Sequence, residues 1–274
     1  MIGVFDSGSG GLTILQALQK SMPDQDFLYF GDHKNAPYGH RQNDQIVELT
    51  RTGVEHLMQN GCKLVILACN TAAAIALRSL QQNWLEEAFP GNRILGVLVP
   101  MVEAITGVDW ASSTPDTSIS DEILLFATRK TVSSGAYREE VAKRAPNIKL
   151  IEKACPGLVD AIEGGAGKAP ISGMISGYVS ELGPTNASAA VLGCTHFPIV
   201  ESQFRSALGP ETKIVSQPDV VAASLRDYLI RHPDFASKGQ GSTRYLTTGD
   251  AVHVTKISRA FCGDNGTFVS VGAV

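Results

Sequence analysis

The stretches LVILACNTA (Leu64–Ala72) and AAVLGCTHF (Ala189–Phe197) decide the fold of this chain. Each runs from an apolar strand pattern through a cysteine and two polar residues into a helix pattern. Their cysteines, Cys69 and Cys194, are separated by nearly half of the 274 residues. This internal similarity predicts two related halves, each presenting a thiol at the carboxyl end of a strand, where open α/β sheets bind ligands. We therefore expect pseudo-twofold related domains with a two-sided cleft between them.

Short apolar runs alternate with helix-length amphipathic patterns along the rest of the chain. Because parallel strands are buried on both faces, they read as continuous apolar runs, and this alternation predicts an α/β fold with mostly parallel sheets. The predicted strands are Ile2–Phe5, Phe27–Phe30, Leu64–Ala68, Ile94–Leu98, Ile123–Ala127, Lys149–Ile151, Ala189–Gly193 and Lys213–Val215. The polar stretch at 109–121 predicts a surface insertion, and a second loop is predicted at about 233–242.

The composition is that of a globular protein, with 43% hydrophobic and 18% charged residues. A net charge of −4 and the absence of a long basic run argue against nucleic acid as a partner. The longest apolar stretch, Leu64–Leu77, is shorter than the roughly 20 residues of a membrane span. No secretory signal is predicted from the first six residues, and five sparse cysteines are typical of reduced thiols. We expect a cytoplasmic protein without a membrane segment.

Two of the five cysteines are candidate reactive residues. A cysteine after a strand is ordinarily a small buried apolar residue, and this interpretation holds for Cys62, Cys155 and Cys262. Cys69 and Cys194 differ because hydrogen-bond donors follow each of them, and His196 adds a titratable ring. The helix that follows each turn can also lower the pKa of a thiol from its reference of about 8.5. We interpret Cys69 and Cys194 as a reactive pair, and His196 as a proton-handling group.

Three further motifs supply polar groups at strand ends. VFDSGSGGL (Val4–Leu12) predicts a glycine-rich turn that either approaches an anion closely or is a plain tight turn. Thr13 stands where a dinucleotide fingerprint needs its third glycine, and no P-loop occurs, so nucleotide binding is not predicted. GDHKNAPYG (Gly31–Gly39) and FATRKTVSSGAY (Phe126–Tyr137) offer hydroxyls and amides that suit a small zwitterion. No zinc-ligand spacing is found, and no metal is predicted.

The combination of these motifs resembles a known family. DSGSGGL, PYG, ACNTA, TRKTVSSGAY and GCTHFP, in this order between Ile2 and Pro198, are similar to motifs of bacterial glutamate racemases in the cofactor-independent Asp/Glu racemase superfamily. The resemblance implies two α/β domains, residues 1–98 with 214–274 and residues 99–213, with the active site between them. It implies L- or D-glutamate as the small-molecule substrate and no cofactor. A homodimer is the candidate assembly.

The same resemblance implies roles for individual residues. Cys69 and Cys194 would be acid/base thiols on opposite faces of the substrate Cα, Asp6 and His196 would assist them, and Asp32 and Glu163 would be helpers. Residues similar to those that hold the substrate are Ser7, Tyr38, Gly39, Asn70, Thr71, Thr128, Thr131 and Thr195. The chain departs from the family pattern at Ala127, where glycine is usual, and in CPGLVDAIE (Cys155–Glu163). It begins at the first predicted strand, so activation by a cell-wall precursor through an N-terminal extension is not expected.

The implied reaction has a chemical requirement that two thiols meet. Enantiomers interconvert with an equilibrium constant of one, so proton removal and return must be comparably easy on both faces. A thiol pKa can be tuned towards neutrality, where general acid/base catalysis is most efficient. The expected function is racemisation of glutamate, which supplies D-glutamate for peptidoglycan. Two alternatives stay open: a racemase of aspartate or another small dicarboxylate, and a two-lobed amino-acid sensor with structural cysteines.

Overall fold

The computed structural model describes residues 1–112, 114–237, 239–262 and 266–272, without the side chains of residues 260 and 262. The prediction that Cys262 is a buried apolar residue therefore concerns a side chain outside the described ones. The strands are β1 (Ile2–Asp6), β2 (Phe27–Gly31), β3 (Leu64–Leu67), β4 (Arg93–Gly96), β5 (Glu122–Ala127), β6 (Lys149–Ala154), β7 (Ala189–Gly193), β8 (Lys213–Val215), β9 (Thr243–Thr247) and β10 (Phe268–Ser270).

Helices connect the strands and cover the sheets. They are α1 (Leu12–Ser21), α2 (Asn43–Gln59), α3 (Asn70–Ile75), α4 (Leu77–Asn83), α5 (Leu85–Ala88), α6 (Leu98–Thr106), α7 (Arg129–Ser134), α8 (Ala136–Arg144), α9 (Leu158–Glu163), α10 (Lys168–Ser180), α11 (Glu201–Leu208), α12 (Gln217–Arg231) and α13 (Ala251–Cys262). None of the described helices combines the length and the apolar composition that a membrane span requires.

The strands form two parallel sheets. The six-stranded sheet has the order β10-β9-β2-β1-β3-β4, and the four-stranded sheet has the order β6-β5-β7-β8. All described strand pairs are parallel. The predicted α/β fold with mostly parallel sheets is confirmed, and all eight predicted strands occur. β9 and β10 were not predicted, because β9 is only partly buried and β10 has three residues at a sheet edge.

Two apolar cores account for how the sheets pack. Successive side chains of a strand point to opposite faces of its sheet. Leu125 therefore packs into a core shared with the six-stranded sheet, whereas its neighbour Phe126 packs into a second core under α10 and α11. Leu225 of α12 also lies in the shared core. Because one continuous core reaches from one sheet to the other, packing fixes where the strand ends of the two sheets meet.

The two-domain division stays a prediction. The six-stranded sheet takes its strands from both ends of the chain, and the four-stranded sheet takes its strands from the middle. β8 pairs with β7 in the four-stranded sheet, so it lies across the predicted boundary at residue 214.

The insertion at 109–121 is a mostly exposed loop, apart from residue 113, which is not described. It packs along the C-terminal end of α8, where the Arg144 guanidinium lies 3.7 Å from the centre of the Trp110 ring. The Asp116 amide donates to the Arg144 carbonyl over 2.7 Å. The prediction of a surface insertion is confirmed, and a cation–π contact anchors the loop.

Candidate active site

A cavity of about 240 Å³ lies between the carboxyl ends of the two sheets, and both predicted thiols line it. Cys69 follows β3 of the six-stranded sheet and precedes α3, and Cys194 follows β7 of the four-stranded sheet. Both cysteines are buried, with 6% of Cys69 and 5% of Cys194 exposed. The predicted site residues that line the cavity are Ser7, Tyr38, Gly39, Cys69, Asn70, Thr71, Thr128, Cys194, Thr195 and His196. Four other predicted site residues lie behind this lining, and each contacts a residue that lines the cavity. They are Asp6, Asp32, Thr131 and Glu163.

Cys69 is a protonated thiol in this environment. Burial raises its pKa to about 12, and the charge of Asp6 acts in the same direction. The Ser7 hydroxyl oxygen lies 3.4 Å from the Cys69 sulfur. For Cys69 the expectation of a lowered thiol pKa is wrong, because loss of hydration outweighs what the start of α3 and Ser7 contribute.

Cys194 lies next to the buried His196, which pairs with the partly exposed Glu163. The Cys194 sulfur is 3.9 Å from His196 Nδ1, and His196 Nε2 is 2.8 Å from a carboxylate oxygen of Glu163. Burial by itself would lower the pKa of His196, but the hydrogen bonds to Cys194 and Glu163 outweigh it and raise that pKa to about 10. Burial also opposes ionisation of Glu163, yet the bond to His196 keeps the Glu163 pKa below its usual value. The ring is therefore an imidazolium at neutral pH.

Asp6 lies behind the cavity wall at the end of β1 and is fully buried. One of its oxygens accepts from the Gly8 amide over 2.9 Å, and the other accepts from the Thr195 hydroxyl over 3.4 Å. Burial raises the Asp6 pKa, although the charge of His196 opposes that rise. Asp6 therefore connects the β1 loop to the loop that carries Cys194.

The glycine-rich turn after β1 allows this close packing. A Cβ on Gly10 would lie 2.4 Å from the Thr195 hydroxyl oxygen, and one on Gly11 would lie 2.6 Å from the Asp6 Cβ. Neither distance is compatible with a larger side chain. The glycines therefore let Asp6 and Thr195 pack closely against this turn, and the approach of an anionic ligand to it stays a prediction.

Three threonine hydroxyls form a connected group at one side of the cavity. Thr71 Oγ1 lies 3.0 Å from Thr128 Oγ1 and 3.4 Å from Thr131 Oγ1, and the last two are 3.0 Å apart. Thr128 is also the N-cap of α7, where its hydroxyl accepts from the Thr131 amide over 3.2 Å. The group joins α3, which follows a strand of the six-stranded sheet, to α7, which follows a strand of the four-stranded sheet.

Asn70 is held by two residues that sequence reasoning missed. Its Oδ1 accepts from the Gln217 side-chain amide over 2.9 Å and from the Tyr137 hydroxyl over 3.0 Å. Its Nδ2 donates to Gln217 Oε1 over 2.8 Å. Gln217 lies outside every motif, so no sequence signal could have found it. Tyr137 ends the stretch Phe126–Tyr137, in which the sequence predicts roles for Thr128 and Thr131 but none for this tyrosine.

Asp32 supports the site from outside the cavity. It is 2% exposed and accepts from the Tyr38 hydroxyl over 2.7 Å. The hydroxyl of Thr248 donates to its other oxygen over 2.7 Å. Burial and the charge of Asp32 both raise the pKa of Tyr38, which therefore stays protonated. The helper role of Asp32 stays a prediction, and its hydrogen bond to Tyr38 holds the tyrosine hydroxyl in place.

The cavity also contains residues that the sequence did not indicate. Cys155, which was predicted to be a buried apolar residue, is 3% exposed and belongs to the second core, but it also lines the cavity. Burial raises its thiol pKa. Cys62 is fully buried in the shared core, as predicted. At the mouth, His40 Nε2 lies 3.6 Å from Asp160 Oδ2, and this contact joins the two sides of the cavity.

Comparison with known proteins identifies the family. Residues 12–225 match the family described as Asp/Glu/Hydantoin racemase. The chain belongs to this family. A family member from Jannaschia sp. (strain CCS1), named glutamate racemase, is 45% identical to this chain over 99% of both proteins. The glutamate racemase of Paracoccus denitrificans (strain Pd 1222) is 46% identical over 93% of both.

Solved structures in the racemase family share the architecture. A glutamate racemase isoform from Bacillus anthracis superposes with a TM-score of 0.87 at 28% identity, covering 99% of this chain and 97% of that chain. The glutamate racemase of Francisella tularensis, solved in complex with D-glutamate, gives 0.85 at 25% identity, covering 100% and 97%. The resemblance drawn from the motifs is thereby confirmed.

Proposed function

We propose that this chain is a glutamate racemase that interconverts L- and D-glutamate by proton transfer at Cα. The observation that carries the proposal is that two buried thiols, Cys69 and Cys194, reach one cavity from two different sheets. A two-base reaction requires such a pair. The names of relatives that are 45% and 46% identical over almost the whole chain support glutamate as the substrate.

The two thiols start in opposite protonation states. Cys69 carries its proton, because burial raises its pKa to about 12. In one direction of the reaction the base is Cys194, whose sulfur lies 3.9 Å from His196 Nδ1. The thiolate takes the Cα proton from one face, and the thiol gives its proton to the opposite face. After one turnover Cys194 is the thiol and Cys69 the thiolate, which is the state that accepts the opposite enantiomer.

Neutral donors stabilise the carbanion. Without a cofactor as electron sink, the negative charge that develops at Cα spreads into the carboxylate, and donors aimed at that group lower the barrier. Donors for the substrate carboxylates are the side chains of Ser7, Asn70, Thr71, Thr128 and Thr195 and the loop at Tyr38–Gly39, with Thr131 behind them. Asp6, His196 and Glu163 set the charge around Cys194. Displacement of water from the cavity by the bound substrate strengthens each of these contacts.

Exchange of the Cα hydrogen with solvent tests the reaction directly. In D₂O, the enzyme should introduce deuterium at Cα of both L- and D-glutamate without added pyridoxal phosphate. General acid/base groups contribute about 10²–10⁴-fold, so Cys69→Ser and Cys194→Ser should each lower turnover by at least about a hundredfold. Cys62→Ala, which changes a thiol in the shared core away from the cavity, should leave turnover close to that of the parent.

Two outcomes would contradict the proposal. If neither enantiomer exchanges its Cα hydrogen, the chain is not a racemase of glutamate, and the same assay with aspartate tests the alternative dicarboxylate. If either single serine variant keeps full activity, the two-thiol chemistry is wrong. Binding of glutamate without exchange would indicate the amino-acid sensor.

We also propose the cellular setting of the enzyme. It supplies D-glutamate for peptidoglycan from the cytoplasm, and the free thiols of Cys62, Cys69, Cys155 and Cys194 are compatible with that compartment. Its domains are residues 1–98 with 214–274 and residues 99–213. It forms a homodimer, for which the exposed apolar side chains of Ile230 and Val252 are candidate contacts. Light scattering on the purified chain distinguishes a dimer from a monomer.

A further inference from the structure

We propose that Gln217 and Tyr137 are positioning residues, which fix the Asn70 amide so that it offers only a hydrogen-bond donor to the bound ligand. The inference rests on the proposed function, because it names how the same cavity selects a carboxylate. Three elements meet at this point: Asn70 begins α3, Tyr137 lies in α8, and Gln217 begins α12 directly after β8.

The hydrogen-bonding capacity of Asn70 is almost used up by these two neighbours. A side-chain amide has an oxygen with two acceptor sites and a nitrogen with two hydrogens. Both acceptor sites of Oδ1 are taken, one by Gln217 Nε2 at 2.9 Å and one by the Tyr137 hydroxyl at 3.0 Å. One hydrogen of Nδ2 is given to Gln217 Oε1 at 2.8 Å. Within the described residues, the second hydrogen of Asn70 Nδ2 has no acceptor.

The remaining N–H matches the chemistry of the expected ligand. Asn70 lines the cavity with both thiols, and an ionised carboxylate is an acceptor that cannot donate. If the Asn70 amide turned over, its oxygen would face the ligand and repel a carboxylate. Its nitrogen would then face the Tyr137 hydroxyl, whose proton would lose its acceptor. Burial makes such a loss costly, since Asn70 is 2% exposed and Gln217 and Tyr137 are fully buried.

The surroundings of Gln217 explain why an amide is buried there. A buried amide is tolerated only when it is hydrogen-bonded, and the Gln217 side chain exchanges two hydrogen bonds with Asn70 over 2.8 and 2.9 Å. It also interacts with the Tyr137 hydroxyl, where it opposes the rise in the Tyr137 pKa that burial causes. An apolar side chain of similar size would fill the same volume without that requirement. Gln217 therefore acts through Asn70. The two side-chain amides could pair in either orientation, and the Tyr137 hydroxyl selects one of them because it donates a hydrogen bond to the Asn70 oxygen.

A double-mutant cycle tests this role. Gln217→Met keeps the volume and removes both amide bonds, and Tyr137→Phe removes only the hydroxyl. Because the lost donor holds a carboxylate that takes up charge in the transition state, we expect kcat/KM for both enantiomers to fall about tenfold with Gln217→Met and about threefold with Tyr137→Phe. In an Asn70→Ala background, neither substitution should lower kcat/KM further.

Controls separate positioning from folding. Thr50→Val removes a buried hydroxyl that donates to the Ile46 carbonyl within α2, and it should leave KM and kcat at the parent values. Melting curves identify any variant that fails to fold. If Gln217→Met does not fold, the comparison of Tyr137→Phe with and without Asn70→Ala decides whether the inference holds. If the parent enzyme racemises glutamate but the Gln217 and Tyr137 effects persist undiminished in the Asn70→Ala background, the inference is overturned and the proposed function stands. If the parent enzyme does not racemise glutamate, both fall.

Discussion

Replacing Glu163 by glutamine should lower the pKa of His196 and thereby the upper pH limit of the enzyme. His196 is a buried imidazolium whose Nε2 bonds to Glu163 at 2.8 Å. A hydrogen bond between charged groups contributes about 1.5–3 kcal/mol, and one pKa unit corresponds to about 1.36 kcal/mol. Glutamine keeps an acceptor oxygen but not the charge, so we expect the lower end of the range. The His196 pKa should fall by roughly one unit, from about 10.

Two assays follow the same group. In histidine labelled with ¹⁵N, the His196 ring should titrate roughly one pH unit lower in Glu163→Gln than in the parent. The basic limb of kcat/KM, measured by circular dichroism of glutamate, should move in the same direction. The amino group of free glutamate titrates equally with every variant, so a difference between variants belongs to the enzyme. Glu201→Gln, which removes the same charge from a surface pair with Arg205, should move neither titration.

The same pair predicts a pH window for stability. A histidine whose pKa is raised by folding stabilises the protein fully below its unfolded value of 6.5, and this contribution is lost as the pH rises towards about 10. Glu163, whose pKa is lowered, stabilises the protein above its unfolded value of 4.5. The urea midpoints of the parent and Glu163→Gln should therefore differ most between pH 4.5 and 6.5. An unchanged His196 titration, together with equal midpoints in this window, would refute the reasoning.

Three further substitutions separate the roles of residues around the cavity. Cys155→Ala should lower kcat by less than about tenfold, because this thiol lines the cavity without a partner in the proton transfer; a loss as large as that of Cys194→Ser would make it a third reacting group. Thr128→Val should lower the free energy of unfolding by about 1 kcal/mol through the lost N-cap of α7, and it should raise KM, whereas Thr128→Ser should restore both. Trp110→Ala should lower the melting temperature, because the contact with Arg144 is lost, and it should leave kcat unchanged. A melting temperature equal to that of the parent would show that this contact does not anchor the insertion.

The local patterns around the thiols predicted much of the site. An apolar run followed by a cysteine and polar residues fixes a strand end, where open α/β sheets bind ligands, and two such runs nearly half the chain apart predict two halves that face each other. Cys69, Cys194 and their neighbours were therefore predicted to share a cavity, which the structure contains. The weaker predictions were those of charge state. Burial raises the pKa of Cys69, and no local pattern measures how much water a folded chain removes from a side chain.

The first eight strands, the pair of thiols and the family were determined by the sequence alone, because strand periodicity, turn chemistry and short motifs are local properties of the chain. Only the tertiary structure decided which distant residues hold these groups in place. Gln217 reaches Asn70, and Glu163 reaches His196, across gaps in the sequence that no periodic pattern spans. The physical reason is that hydrogen bonding and desolvation depend on atoms within a few ångströms in space, and the packing of the two sheets on one shared core sets which atoms those are.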